Sequence, residues 1–182
     1  MDTIALFGGS FDPPHIGHEA VVKALSKLKY IEKIIIMPAF LNLFKDKFYA
    51  PCSLRIKWLR EIFSGYKNVE ICEFEANLQR QVPTIESVKY LLTKYKNIYL
   101  VIGADNVASL PLWHRYEELK KSVTFIVASR DEIEIPKEYI KLEVKEDISS
   151  SSLRKHIEIG KLPKKCADEI YRFYEEKNCK TE

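Results

Sequence analysis

The first eighteen residues constrain the fold of this chain more than any other segment. An apolar run at residues 3–7 leads directly into Gly8 and Gly9, and apolar positions then recur at helical spacing over residues 20–28. Two glycines after a buried strand allow a tight turn and a close approach of the backbone to a ligand, and the start of a helix presents unpaired N–H groups. The segment therefore predicts a strand-turn-helix unit that binds an anion such as phosphate.

Two histidines stand at the start of the predicted helix. His15 and His18 are three residues apart, and Gly17 between them leaves the space beside the rings open. Two imidazoles at this spacing can hold one polyphosphate, because each ring can donate an N–H or carry a positive charge near neutral pH. The alternative is that both histidines only form hydrogen bonds at the start of a helix, in a fold without a phosphate site. That alternative does not explain why the glycines and the histidines occur together.

Apolar runs and amphipathic segments alternate through the rest of the chain. This alternation predicts an α/β fold: a Rossmann-like, doubly wound parallel sheet with C-terminal helices over residues 149–178. A length of 182 residues fits one domain spanning 1–182. After the first strand, the predicted strands are 33–37, 69–74, 98–102 and 123–128, and the predicted helices are 20–28, one capped by Ser53, 85–95 and a last pair after Arg154.

Composition indicates a cytoplasmic protein. The net charge of +3 suits an anionic substrate and gives no indication of a nucleic-acid partner. No apolar run approaches the length of a membrane-spanning helix, and the N-terminus lacks the pattern of a signal peptide. Neither a zinc site nor a disulfide framework is expected from the scattered Cys52, Cys72, Cys166 and Cys179, and no carboxylate cluster predicts a metal held by the protein itself.

The predicted sheet brings several polar segments to one edge. Ligands of open α/β sheets bind beyond the carboxyl ends of the strands, where residues 8–18, the stretch from Pro38 and residues 103–106 are expected. A serine run at 149–152 directly precedes an amphipathic segment. Such a run could be a flexible linker, but hydroxyls at a helix start cap N–H groups and can share them with phosphate. We favour phosphate contact.

Residues 8–18 read Gly-Gly-Ser-Phe-Asp-Pro-Pro-His-Ile-Gly-His. This segment resembles the GG(T/S)FDPxHxGH signature of the HxGH nucleotidyltransferases, which transfer an adenylyl group from ATP to a phosphate. Four further segments, 83–87, 103–106, 110–114 and 148–154, resemble motifs of the nicotinate-nucleotide adenylyltransferases. The resemblance covers nearly the whole chain. It implies an enzyme of NAD biosynthesis that uses ATP, with Mg²⁺, and nicotinate mononucleotide to form deamido-NAD and pyrophosphate.

The resemblance also implies roles for individual residues. His15 and His18 would face the α- and β-phosphates of ATP, Trp113 would stack on the pyridine ring, and Thr84 would hold the nicotinate carboxylate. The implied catalytic residues are His15, His18, Lys45 and Arg154. The implied ATP contacts are Gly8, Ser10, Gly17, Gly103, Asp105, Ile148, Ser149, Ser150 and Ser151. The implied contacts to nicotinate mononucleotide are Gly9, Phe11, Thr84, Trp113 and Arg130.

The chain departs from the family pattern in two places that bear on the site. Where many members read PPHK, residues 42–45 read Asn-Leu-Phe-Lys, so only the lysine is kept. Lys45 is assigned by its spacing from Pro38, and Lys47 is close enough to replace it. Asn106 stands where a methionine is frequent, and we expect this change to affect packing more than chemistry.

Two alternative functions stay open at this point. Another HxGH adenylyltransferase, acting on pantetheine phosphate or nicotinamide mononucleotide, would share the histidines and the serine run, but Thr84 and Trp113 argue against it. A nucleotide-binding regulator without turnover would usually have lost a catalytic group. His114 and His156 are expected to be structural. The oligomeric state is open, because aromatic residues such as Tyr174 could pack internally or against a second subunit.

Overall fold

The protein forms one six-stranded sheet in which every strand pair is parallel. The computed structural model describes residues 2–42, 47–129, 133–146 and 148–179. Within them the strand order is β3-β2-β1-β4-β5-β6. This order confirms the predicted α/β, Rossmann-like sheet. The strands are β1 (Thr3–Gly9), β2 (Lys33–Pro38), β3 (Val69–Ile71), β4 (Asn97–Gly103), β5 (Thr124–Ala128) and β6 (Ile140–Leu142).

Helices cover both faces of the sheet, so the strands are buried on both sides and read as continuous apolar runs. In β1, Ala5 and Phe7 join the core on one face, and Ile4 and Leu6 join the core on the other. The α-helices are α1 (Ile16–Leu25), α2 (Cys52–Phe63), α3 (Phe74–Leu78), α4 (Thr84–Leu92), α5 (Tyr116–Ser122), α6 (Ser150–Lys155) and α7 (Ala167–Cys179). Short 3₁₀ helices span Ala104–Leu112 and Ile159–Lys161.

Several predictions about the secondary structure were wrong. The last helix pair was expected after Arg154, but α6 begins at Ser150 and contains that arginine. The strand expected at 69–74 ends at Ile71, and Phe74 instead begins α3, where its ring stacks on Tyr90 at 4.1 Å. Tertiary packing of an aromatic side chain overrode its strand propensity here. Helix α2 begins at Cys52, so Ser53 lies inside the helix and does not cap it. The three-residue β6 was not predicted, because so short a segment carries too little periodicity to detect.

The order of the strands fixes where a ligand can bind. From β1 the chain passes to β2 and β3 on one side, and from β4 it passes to β5 and β6 on the other. The carboxyl ends of β1 and β4 therefore flank the point at which the connections change direction, and a crevice opens there. Among the described residues, no helix is both long and apolar enough to cross a bilayer.

Candidate active site

Two cavities open at the carboxyl ends of β1 and β4. We call the one of about 260 Å³ the histidine cavity and the one of about 220 Å³ the tryptophan cavity. The histidine cavity is lined on its polar side by His15, Gly17, His18, Asp105, Ser129, Glu146, Ser149, Ser150 and Ser151, and also by Ile148. The tryptophan cavity is lined by Gly9, Asn42, Glu75, Thr84, Ser87, Trp113 and His114 together with apolar residues.

The two cavities share a wall. Phe7, Gly8, Gly103 and Asn106 line both of them. Gly8 and Gly103 lie at the carboxyl ends of the neighbouring strands β1 and β4, and a residue without a side chain leaves the backbone accessible from both cavities. Two ligands, one in each cavity, would therefore meet over these glycines.

The two histidines are held in a fixed mutual arrangement at the start of α1. Their rings stack with centroids 3.7 Å apart and planes inclined by 25°. The backbone N–H of His15 donates to Nδ1 of His18 at 3.1 Å. An Nδ1 that accepts a hydrogen bond carries no proton, so the proton of neutral His18 lies on Nε2. The structure thus favours an N–H-donating imidazole at His18 over a cationic one.

Gly17 is needed for the position of the His15 ring. A Cβ at Gly17 would lie 2.9 Å from Nδ1 and 3.0 Å from Cε1 of His15, whose side chain is only 5% exposed. Such contacts are closer than packing allows, and the ring has little room to move. The helix places this glycine at its second residue, where backbone strain plays no part.

We expect Gly17→Ala to separate activity from stability. Displacement of the His15 ring should lower kcat by about tenfold or more, since misplacement by about 1 Å costs rates of that order. The thermal midpoint should change little, because alanine is the better helix former. Steady-state kinetics and a melting curve on one preparation test this, with Gly160→Ala as control, because a Cβ at Gly160 meets nothing within 4 Å. Unchanged kcat would show that His15 does not need its present position.

The serine run forms the start of α6 and contacts the signature loop of residues 8–18. Ser149 caps the helix, accepting from the N–H of Ser152 at 3.0 Å. Ser150 Oγ donates to the carbonyl of Pro13 at 2.8 Å, so its hydroxyl connects the start of α6 to the signature loop. Arg154 donates to the carbonyl of Asp12 at 2.6 Å and to Ser151 Oγ at 2.9 Å. Arg154 is not among the residues that line the histidine cavity, and its guanidinium supports the loop beside it.

A buried carboxylate missed by the sequence analysis holds this loop in place. Asp12 is 2% exposed, and its oxygens accept from the N–H groups of Tyr49 at 2.8 Å and Ala50 at 2.9 Å. The hydroxyl of Tyr174, fully buried in α7, donates to the same carboxylate. Burial and the neighbouring Asp12 charge raise the pKa of Tyr174, so it stays a proton donor at physiological pH. Tyr174 therefore packs internally.

A buried arginine, also missed, fixes the loop from the opposite side. Arg55 is 1% exposed and donates only to backbone carbonyls in the hydrogen bonds that the structure describes. The acceptors are Ser10, Ala39, Phe40 and Ala50. The guanidinium thus joins the residue after β1, the residues after β2 and the segment that precedes α2. A signal for it was present, because arginine interrupts the otherwise apolar face of α2.

The tryptophan cavity combines an aromatic wall with polar groups. Thr84 is the first residue of α4, where helix N–H groups favour a carboxylate, and Trp113 follows the 3₁₀ helix. The indole N–H of Trp113 is buried without a hydrogen-bond partner among the described residues, as is that of the core Trp58, so the position of Trp113 in the cavity wall is what supports a binding role. Ser87 donates to Glu75 at 2.6 Å, and burial raises the pKa of Glu75. Sequence reasoning missed Glu75.

Several predicted site residues lie elsewhere. Phe11 is 1% exposed and packs edge-on against His18 at 4.8 Å, so its side chain supports the histidine and lines neither cavity. Ser10 lies beside Arg55 in a separate small pocket. His114 was expected to be structural but lines the tryptophan cavity. Lys45 and Arg130 lie outside the described residues.

Comparison with known proteins agrees with this geometry. Residues 6–156 match the cytidylyltransferase-like family. The chain is 66% identical over its full length, and that of its relative, to a protein of Sulfurimonas denitrificans named "Probable nicotinate-nucleotide adenylyltransferase". A protein of the same name from Nitratiruptor is 48% identical, covering 94% of this chain and 98% of its own.

The fold also matches a solved structure. Nicotinic acid mononucleotide adenylyltransferase of Plasmodium falciparum, complexed with NaAD, superimposes with a TM-score of 0.72 at 24% identity. The match covers 85% of this chain and 83% of that one. At this identity the likeness supports the fold alone, whereas the bacterial relatives are similar over 94–100% of this chain. The chain therefore belongs to the nicotinate-nucleotide adenylyltransferase family.

Proposed function

We infer that this chain transfers the adenylyl group of ATP to the 5′-phosphate of nicotinate mononucleotide, giving deamido-NAD and pyrophosphate in NAD biosynthesis. The observation that carries the inference is the shared wall: two cavities of different chemistry meet over Gly8 and Gly103. ATP fits the histidine cavity, with its hydrogen-bond donors, and the mononucleotide fits the tryptophan cavity. Because both substrates are soluble metabolites, we propose the cytoplasm as the compartment.

The reaction requires positioning and charge neutralisation more than acid-base chemistry. The attacking phosphate is already anionic, so the site has no proton to remove from it. Negative charge grows on the oxygens around the α-phosphorus and on the leaving pyrophosphate. A fixed Nε2–H of His18, with His15 stacked beside it at 3.7 Å, would stabilise that charge. Fixed donors act without reorganising during the reaction.

Mg²⁺ is the ion that we propose to accompany ATP. The described residues contain no group of His, Cys, Asp and Glu side chains that could hold a metal ion by themselves. The ion would therefore be held mainly by the ATP phosphates, with carboxylate and hydroxyl oxygens of Asp105, Glu146 and the serines at the cavity wall. When bound, Mg²⁺ would neutralise charge on the phosphates. Asp105 is exposed and accepts from Asn106 Nδ2 at 3.3 Å, which leaves its carboxylate at the cavity wall.

The remaining cations are proposed as ligands of the substrates because of the family motifs that they match. Arg154 would act on the β- and γ-phosphates although it lines neither cavity, and its guanidinium also lies 5.1 Å from the ring of Tyr49. Lys45, which follows β2 in the sequence and lies outside the described residues, remains the proposed cation near the transferring phosphoryl group. Lys47 is exposed and lies 5.9 Å from the same tyrosine ring, so it is the second candidate. Arg130 remains a proposed mononucleotide contact.

Pyrophosphate release from ATP and Mg²⁺ tests the proposed function directly. Nicotinate mononucleotide, nicotinamide mononucleotide and 4′-phosphopantetheine should be offered separately to the purified protein. We expect a strong preference for nicotinate mononucleotide. Equal use of the acid and the amide would support adenylyl transfer but refute the carboxylate site at Thr84. No pyrophosphate release with any of the three substrates would favour a nucleotide-binding regulator.

Replacement of the cavity tryptophan should affect one substrate only. Trp113→Ala removes the aromatic face proposed to stack on the pyridine ring, which we expect to raise KM for the mononucleotide by about 10- to 100-fold, a stacking loss of about 1–3 kcal/mol. KM for ATP should change little, because Trp113 lines only the tryptophan cavity. Trp113→Phe should recover much of the loss. Equal increases in both KM values would assign Trp113 a general structural role.

A further inference from the structure

The wall between the two cavities contains one polar side chain. Of its four residues, Gly8 and Gly103 contribute only backbone and Phe7 contributes an apolar ring, so Asn106 alone presents polar side-chain atoms to both cavities within the described part of the chain. In a reaction that joins one ligand from each cavity, the new bond forms beside this wall. The sequence analysis expected Asn106 to matter for packing only.

The position of the Asn106 carboxamide is set by its neighbours. Its Nδ2 donates to Asp105 Oδ1 at 3.3 Å, and its backbone carbonyl accepts from Ser109 Oγ at 3.0 Å. Nδ2 also lies 3.6 Å from the point that a Cβ of Gly103 would occupy, and that Cβ would collide with Asp105 Oδ1. Both side chains therefore fold back across the end of β4, which only a glycine at 103 permits.

This arrangement leaves the carboxamide suited to an anion in spite of the neighbouring carboxylate. A carboxamide has two N–H donors, and one directed at Asp105 turns the other away from it. The bond to Nδ2 also engages one oxygen of the Asp105 carboxylate. A hydrogen-bond donor on the shared wall stabilises the reaction most where negative charge accumulates, on the oxygens of the phosphoryl group that is being transferred.

We propose that Asn106 is a further catalytic residue, which donates its carboxamide N–H to the phosphoryl group as it passes from ATP to the mononucleotide. The proposal deepens the proposed function and rests on it. Because the donor lies on the shared wall, its contact with phosphate is strongest when both cavities are joined by one ligand. It therefore contributes more to the transition state and to the dinucleotide product than to either substrate alone.

Asn106→Ala should accordingly lower kcat by roughly tenfold to a hundredfold, at or below the loss of one preorganised donor in comparable sites. Binding of the dinucleotide product, measured by calorimetry, should weaken about tenfold, while Kd for ATP and for the mononucleotide should each change by less than about threefold. Asn106→Asp, which has the same shape but places a negative charge at the junction, should be less active than Asn106→Ala.

The controls separate this proposal from the function on which it rests. Asn77→Ala, in an exposed part of α3 that borders neither cavity, should behave as wild type. Turnover by wild type and Asn77→Ala tests the proposed function by itself. If those proteins turn over, the proposal for Asn106 is overturned by a kcat loss below about threefold in Asn106→Ala, by full activity in Asn106→Asp, or by a loss confined to the Kd of one substrate.

Discussion

Replacing His18 with asparagine should lower kcat by about 100- to 1,000-fold, the loss found when one preorganised donor to a developing anion is removed. Asparagine is short, and its Oδ1 can take the place of Nδ1 and accept the N–H of His15 that now donates at 3.1 Å. The start of α1 should therefore keep its hydrogen bond and its stability. The substitution removes the Nε2–H of His18, the proposed donor to phosphate. The rate of turnover with ATP and nicotinate mononucleotide measures the effect of that removal.

Glutamine at the same position is the matched control. Its longer side chain can return an N–H to the place of Nε2 but cannot accept the His15 N–H equally well. His18→Gln should therefore retain more activity than His18→Asn, within roughly tenfold of wild type, while losing some thermal stability. The opposite ranking of the two variants would mean that His18 acts through the helix start and not through contact with phosphate.

Asp12→Ala should cause the largest loss of stability among single substitutions near the site. It leaves three donors without their acceptor: the buried N–H of Ala50, the buried hydroxyl of Tyr174 and the partly buried N–H of Tyr49. Each unsatisfied donor costs about 1–3 kcal/mol, so we expect a decrease of about 4 kcal/mol in the free energy of unfolding, a large part of the stability of a typical domain. Urea unfolding monitored by tryptophan fluorescence measures it.

Two further variants test the origin of this loss. Tyr174→Phe removes one donor together with its hydroxyl and should cost only about 1–1.5 kcal/mol, and adding it to Asp12→Ala should cost less than the sum. Asp2→Ala removes an exposed carboxylate paired with Lys96 at 2.8 Å and should leave the unfolding midpoint nearly unchanged. Strict additivity of Asp12→Ala and Tyr174→Phe would contradict the contact between the two side chains.

Local patterns were sufficient to predict five of the six strands and the glycines that separate the two cavities. Continuous isoleucine and valine runs identify strands that are buried on both faces, and the glycines that end β1 and β4 mark the places where backbone meets ligand. His15, His18, Thr84 and Trp113 were also found in advance, and the structure places them in two adjoining cavities. Each of these residues lies in a short motif, so its neighbours in the sequence are enough to identify it.

The supporting residues could not be predicted because their partners are far away in sequence. Asp12 and Tyr174 are 162 positions apart, and Arg55 reaches back 45 positions to the carbonyl of Ser10. Neither spacing nor composition encodes such pairs. Ser150 and Phe11 illustrate the same difficulty, since each type of side chain could contact a ligand, and only the fold shows that one bonds Pro13 and the other supports His18.

The contact between Asp12 and Tyr174 has a consequence for how the protein matures during translation. The signature loop is synthesised well before α7, the helix that completes its hydrogen bonding. Until Tyr174 emerges, the Asp12 carboxylate lacks one of its donors and the segment at Tyr49 lacks the bond from Lys177 to its carbonyl, 2.6 Å long in the finished protein. A nascent chain would thus complete the hydrogen bonding of this loop only after Tyr174 and Lys177 have emerged.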